Sequence, residues 1–135
     1  MISNGNNLPA KPGFERLRIW RKSYDLMLKV HEICQTLPRE EKFRLGDQAE
    51  RSSSSVVDAI AEAYSTYYFN DKIKSLYLSR REAGETQNHM KKMEGMNYLS
   101  KVRSVELIDE YEGLIRGINA FINDIKKQRD ARLDR

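Results

Sequence analysis

The stretch from Phe14 to Leu37 reads FERLRIWRKSYDLMLKVHEICQTL, and its periodicity decides the fold. Leu17, Trp20, Tyr24, Met27, His31 and Cys34 recur at steps of three, four, three, four and three. Such steps return a side chain to the same side of an α-helix once per turn, so the apolar character gathers into a stripe. Ile19, Leu26, Val30, Ile33 and Leu37 form a second stripe beside the first. Two adjacent stripes make an apolar arc wider than a two-stranded coiled coil uses, which suits a helix packed against several neighbours. Pro38 disfavours helical geometry at Leu37 and stops the run. The helix expected here has about 23 residues and is about 35 Å long.

Outward from this segment the pattern repeats. Asp47 followed by Glu50 resembles a capping box and opens a second helix through QAERSSSSVVDAIAEAYSTYYF. Its expected inward positions are Ala49, Ser52 or Ser53, Val56, Ile60, Ala63 and Tyr67, mostly small, so a neighbour can approach closely. Asn70 caps a third helix that continues to Leu99, with a seam of Ile73, Leu76, Ser79, Ala83, Thr86, Met90 and Met93. Ser104 caps a fourth, with Ile108, Tyr111, Ile115, Ile118, Ile122 and Ile125 in its seam and Leu107, Leu114 and Phe121 flanking it. No segment alternates with period two, so strands are not expected. Long helices joined by short links predict an all-α, antiparallel up-down-up-down four-helix bundle over residues 14–125. Residues 1–13, with Asn, Gly, two Pro and no periodicity, read as a flexible arm. The charged segment 126–135 reads as a frayed tail.

A chain of 135 residues suits one domain, and Cys34 alone gives no disulfide framework, which fits a reducing compartment. The polar N-terminus lacks the apolar core of a signal peptide, and no apolar run nears the roughly 20 residues that span a bilayer. A cytoplasmic protein without membrane association is expected. Net charge is +4, but its distribution is more informative than its size. Residues 70–103 hold eight Lys or Arg against four Asp or Glu, whereas residues 104–125 hold one against five. Segregated blocks of this kind suit separate basic and acidic faces, which copies of an oligomer can pair.

Catalytic and metal chemistry find little footing. The di-iron pattern of four-helix bundles needs Glu-x-x-His on two helices, and no Glu here has His three residues on. His31 and Cys34 share one helix face at ligand spacing, but His89 is the only other histidine, so no metal and no cofactor are expected. The hydroxyl run Ser52–Ser55 has neither a nearby histidine nor the glycines of a nucleophile elbow, and no GxGxxG or phosphate loop occurs. The chain reads as a non-enzyme.

Two polar groupings remain. Gln48, Arg51, Ser55, Asp58 and Glu62 follow the second helix at three- or four-residue steps, and Glu85 lies in the middle of the third. Asp58 and Glu62 repel each other at that spacing, which points to partners on another helix or subunit, with Arg51 the natural counter-ion. The expectation is a structural or intersubunit polar network. Basic residues gather at Arg21 and Lys22, Arg80 and Arg81, Lys91 and Lys92, and Lys126, Lys127 and Arg129, with aromatics at Tyr77, Tyr98 and Tyr64 to Phe69. Such residues can bind phosphates with salt-dependent, sequence-indifferent affinity. An ordinary solvated surface accounts for them equally well from composition alone.

The order of motifs resembles a known family. Phe14 to Trp20 (FERLRIW) resembles the F-x-x-L-x-hydrophobic-W start of the 23S rRNA intervening-sequence four-helix bundle proteins. Pro38, Glu41, Phe43, Leu45, Gln48 and Arg51 follow in order, then SVVDAIAEA from Ser55 to Ala63, where the family usually reads SIPSNIAEG. Glu82 to Thr86 (EAGET) and Asn97 to Leu99 (NYL) are similar to its third helix and that helix's end. The sequence departs at Val57, Ala59 and Ala63, where the family has Pro, Asn and Gly. The resemblance implies a four-helix bundle, homopentameric rings in some members, and genes lying in rRNA insertions. It also implies kinship with the accessory proteins of diversity-generating retroelements, basic pentamers that bind a reverse transcriptase and RNA. The function expected is therefore a non-catalytic, homo-oligomeric adaptor, pentameric, associating with RNA or DNA and with a reverse transcriptase. The alternative is an assembly module that binds a protein partner without nucleic acid.

Overall fold

The structure, a computed structural model, describes residues 13–133. The expected arm lies outside the described residues except for Gly13, as do the last two residues of the tail. A short 3-10 turn, Gly13–Arg16, leads into α1 (Arg18–Gln35). A helical turn at Arg39–Glu41 and a π-turn at Lys42–Gly46 run directly into α2 (Asp47–Ser65), followed by α3 (Phe69–Gly95) and α4 (Lys101–Leu133). Helix α2 packs on α1 and α3, and α4 packs on α3 and closes against α1, so the helices form the expected up-down-up-down bundle. No strand occurs among the described residues.

The seam of α3 is buried residue for residue as its period predicts: Ile73, Leu76, Ser79, Ala83, Thr86, Met90 and Met93. Its small central residues let α2 approach closely. Ser79 Oγ donates to the Val56 carbonyl of α2 at 2.9 Å, and the Ser52 and Thr86 hydroxyls meet at 2.8 Å. Each buried hydroxyl is thereby satisfied, which removes the desolvation cost it would otherwise carry. Leu107, Tyr111, Leu114, Ile118, Ile122 and Ile125 fill the other side of the core from α4.

Helix α1 turns a different arc inward from the one its first stripe suggests. Leu26, Val30, Ile33, Cys34 and Leu37 are buried, so the second stripe is the core stripe, whereas Tyr24 and His31 are exposed and Trp20 is half-buried. The reason is tertiary: among the long helices described, α1 borders α2 and α4, and an arc as wide as both stripes exceeds what two neighbours can cover. Trp20 instead joins a surface stack with Phe14 (ring centroids 4.9 Å) and Tyr24 (5.0 Å). Tyr67, expected inward, is 82% exposed because α2 ends at Ser65 and the residue falls in the link to α3.

The helix ends also differ from expectation. Asp47 caps nothing, since the chain is already helical at Gly46 (φ −62, ψ −46) and the helical path begins after Pro38. Asp47 ion-pairs with Arg51 at 3.1 Å instead, and Glu50 meets His31 Nδ1 at 2.6 Å. The π-turn is held by a two-point bond from Arg44 to the Glu41 carboxylate, both at 2.8 Å. Asn70 lies inside the first turn of α3, whose N-cap is Tyr68. Helix α3 stops at Gly95 rather than Leu99 because Asn97 takes a left-handed φ of 64. The bonds Tyr98 N–H to Met93 carbonyl (2.9 Å) and Asn97 N–H to Glu94 carbonyl (3.0 Å) complete a Schellman motif there. Ser100, not Ser104, caps α4, its hydroxyl accepting from the Arg103 N–H at 3.1 Å, while Ser104 is buried against α3.

Helix α4 also continues to Leu133, so the described part of the expected tail is helical rather than frayed. Arg129 donates to Asn70 Oδ1 at 3.0 Å, and the Arg132 guanidinium sits 5.0 Å from the Phe69 ring centroid. These contacts with α3 hold the charged turns in register.

Two buried groups give direct tests of this core. The Tyr111 hydroxyl is buried beside Thr86 without a well-formed hydrogen bond, and burial pushes its pKa up. Tyr111→Phe is therefore expected to be neutral or to stabilise by about 1 kcal/mol in urea unfolding, because it removes an unpaired buried hydroxyl. A loss above that size would show that the hydroxyl is bonded. Burial, and then the Glu50 charge, push the Cys34 thiol up to about 12. At pH 8 roughly one such thiol in ten thousand is ionised, so Ellman's reagent is expected to react with Cys34 only as the protein unfolds. Prompt labelling of the native protein would contradict this burial.

Candidate nucleic-acid interface

The antiparallel run of α3 and α4 places basic and aromatic side chains in register along one groove. Starting in mid-bundle, Arg80 donates to Asn119 Oδ1 at 2.7 Å, and its guanidinium carbon lies 4.9 Å from the Tyr77 ring centroid. Lys126 Nζ lies 5.5 Å from the same ring. Further along, Arg129 reaches Asn70, and Arg132 covers Phe69. Lys126, Arg129 and Arg132 fall at successive three-residue steps on α4, which keeps them on one side of the helix for about 10 Å. Cation–π contact holds the Arg80, Lys126 and Arg132 heads against the rings, and Arg129 is held by Asn70. The Lys126 ammonium beside the ring, outweighing partial burial, lowers the Tyr77 pKa, and the Arg80 and Arg129 charges act in the same direction.

Residues 69–81 and 119–133 together hold eight Lys or Arg against three Asp. One of those acids, Asp130, is taken up by Arg129 at 3.0 Å. The groove is thus a region of concentrated positive potential, the condition for phosphate attraction.

Of the nine cations singled out in the sequence, five belong to this region: Arg80, Arg81, Lys126, Lys127 and Arg129. Arg81 and Lys127 are exposed beside it. The other four lie elsewhere. Arg21 donates to the Glu15 and Arg16 carbonyls at 2.9 and 2.7 Å, tying down the entry to α1. Lys22 pairs with Glu110 at 2.9 Å, where Lys29 joins it at 3.2 Å. Burial of Glu110 is outweighed by these two bonds, which hold its carboxyl below the usual range. Lys91 pairs with Glu94 at 3.2 Å, and Lys92 is partly buried beside it, about 15 Å along α3 from Arg81. Arg132, within the basic tail, joins the five of the groove through its three-residue step from Arg129, a relation that a frayed tail would not keep, and Lys74 adds a further cation.

The polar strip divides as well. Gln48, Arg51, Ser55 and Glu85 converge on a shallow groove between α2 and α3, together with Ser52, Glu82 and His89. Glu62 lines the next groove along, with Lys74, Tyr77 and Arg81, and Asp58 is exposed outside the first. None of the six expected network residues is buried within the chain, and Arg51 pairs with Asp47 rather than with Asp58 or Glu62. The reason is that α2 directs its small residues at α3, leaving the charged strip at the rim. Burial, and then the neighbouring Glu85, raise the Glu82 pKa. Burial and Lys92 lower that of His89, against a weaker pull from Glu85, and its buried Nδ1 has no partner.

His31 and Cys34 diverge: His31 is exposed on Glu50, whereas the buried Cys34 Sγ points to the Gly46 carbonyl at 3.6 Å. Among the described residues no three His, Cys, Asp or Glu side chains converge as metal ligands, and no helix is long and apolar enough to cross a membrane.

These features define a class: an all-α four-helix bundle with a basic, aromatic-lined groove on its α3–α4 face. The chain belongs to the family described as 23S rRNA-intervening sequence protein, whose pattern matches residues 15–120. Its fold is also that of a crystal structure, at 1.70 Å resolution, of a protein of unknown function from the S23 ribosomal protein family of Bacteroides thetaiotaomicron VPI-5482. That protein is 21% identical, the TM-score is 0.73, and the likeness covers 78% of this chain and 95% of the other. Among curated proteins no sequence match is found.

Proposed function

We propose that this protein is a non-catalytic, homo-oligomeric adaptor, a pentamer, that holds RNA or DNA through the α3–α4 groove and presents it to a protein partner such as a reverse transcriptase. The observation that carries the nucleic-acid reading is the meeting of cations and aromatic rings from two helices far apart in sequence: Arg80 and Lys126 on Tyr77, and Arg132 on Phe69, with Arg129 on Asn70 between them.

Self-association is supported by the opposite end of the bundle. Phe43 is 76% exposed in the π-turn and Val102 70% exposed at the start of α4, with Val105 and Met96 also exposed. Apolar side chains grouped at one end suit an interface. The rim residues Gln48, Arg51, Ser55, Asp58, Glu62 and Glu85 are the natural polar partners between copies. This apolar end also favours the second reading, an assembly module that binds no nucleic acid.

One experiment separates the two. Light scattering fixes the mass, and binding of labelled RNA and DNA is then measured at two salt concentrations. A pentamer whose affinity falls steeply with salt is expected. A pentamer indifferent to both nucleic acids at low salt would leave the assembly module, and a monomer would overturn the oligomeric reading.

A further inference from the structure

We propose that Tyr67 and Tyr68, at the end of the α3–α4 groove, form a stacking platform that makes this protein a binder of single-stranded nucleic acid in particular. The inference rests on the nucleic-acid reading above and adds to it which form of nucleic acid is held, and by what.

The link between α2 and α3 is three residues, Thr66, Tyr67 and Tyr68, and a connection so short needs no aromatic side chain. Yet Tyr67 is 82% exposed and Tyr68 66% exposed, their rings meeting edge to face at 5.0 Å. Tyr64 is exposed one turn earlier. The link is held in place. Lys72 Nζ donates to the Ala63 and Tyr64 carbonyls at 3.0 and 3.3 Å, and Thr66 Oγ1 donates to the Glu62 carbonyl at 2.7 Å. These bonds satisfy the open carbonyls of the last turn of α2, so the two rings project from a fixed backbone. A pre-set platform loses little entropy when something stacks on it.

What would stack there follows from the neighbours. Phe69, the next residue, lies under Arg132, and from it the line of cations runs through Arg129 and Lys126 to Arg80, over about 17 Å of α3. A strand whose phosphates follow that line brings its next bases onto the tyrosines. Cations tracking a backbone beside exposed aromatic faces are the shared device of proteins that hold single strands. A duplex satisfies the cations but keeps its base faces stacked inside, so it gains nothing from Tyr67 and Tyr68. The competing occupant is the acidic stretch of another copy, where Glu106, Asp109 and Glu112 are exposed on α4.

The test uses the full-length protein and fluorescence anisotropy with three probes: an oligouridylate, its duplex with oligoadenylate, and an abasic oligomer of equal phosphate count. The variant is Tyr67→Ala with Tyr68→Ala, both exposed, so its unfolding curve should match that of the unchanged protein. The oligouridylate is expected to bind about tenfold or more tightly than the abasic oligomer, the range of one or two stacked bases. The double variant should lose that advantage and bind the abasic oligomer and the duplex as before, with the same salt slope. Equal binding of intact and abasic strands, or a variant that binds oligouridylate undiminished, would overturn the platform while leaving salt-dependent phosphate binding in place. A variant with lowered oligomeric mass would overturn it too, placing the tyrosines between copies. Absence of binding to all three probes by the unchanged protein would overturn the functional reading itself.

Discussion

Leu76→Ala is expected to cost about 2–5 kcal/mol. Leu76 is fully buried on α3, where the next three seam positions, Ser79, Ala83 and Thr86, are small. Leu76 and Met90 therefore flank a narrow waist, and with Ile73 and Met93 they supply most of the apolar volume that α3 offers to the core. The waist cannot close over a cavity at position 76, because Ser79 and Thr86 are already bonded to α2 at 2.9 and 2.8 Å. With total stability on the order of 5–15 kcal/mol, such a loss brings the chain near its unfolding threshold. Urea denaturation with a shared slope measures it. Trp20→Ala is the informative comparison. A fully buried Trp would cost about 3–5 kcal/mol, but Trp20 is half-buried in a surface stack, so about 2 kcal/mol is expected. A Trp20 loss equal to that of Leu76 would place the first stripe of α1 in the core after all.

The second large effect is on binding. Exchanging Arg81, Lys126 and Arg132 together for Gln should leave folding nearly intact, since Arg81 and Arg132 are exposed and Lys126 only partly buried. Each phosphate contact with a single strand contributes about 0.7 to the slope of log affinity against log salt. Loss of three contacts should flatten that slope by about 2 and weaken low-salt binding by one to two orders of magnitude, uniformly across sequences. The matched control replaces Lys22 and Lys91 by Gln. Both cations are held in short ion pairs, with Glu110 at 2.9 Å and Glu94 at 3.2 Å, against 3.9 Å for Arg81 and Glu82, so they have less to offer a phosphate. Equal losses from the two sets would mean that binding depends on net charge rather than on the α3–α4 groove.

The two sets look alike in the sequence. Lys91 and Lys92 form as clear a basic pair as Arg80 and Arg81, and only the position of Glu94, one turn on, suggests that Lys91 is occupied. Nothing in sequence spacing shows that Lys126 comes to rest on Tyr77, because that contact depends on the antiparallel register of α3 and α4. The polar strip is a similar case. Its residues share a stripe on α2, yet only Gln48, Arg51 and Ser55 reach the groove where Glu85 stands, and Glu62 lies in the next.

What the sequence determined by itself was the helical class, the number of long helices, and the buried seam of α3 in full. Those follow from periodicity, which is local: a helix repeats every 3.6 residues whatever it packs against. The left-handed stop at Asn97 and the π-turn entry to α2 are held by local bonds that leave no mark on the periodicity, whereas the inward arc of α1 depended on neighbours. An apolar arc wider than its partners can cover leaves one stripe outside, and the partners alone select which. The helical continuation to Leu133 had the same origin, since its Arg129 and Arg132 contacts lie on the far helix, at Asn70 and Phe69. The candidate interface is likewise tertiary, because it joins side chains distant in sequence that only the packed bundle brings into line.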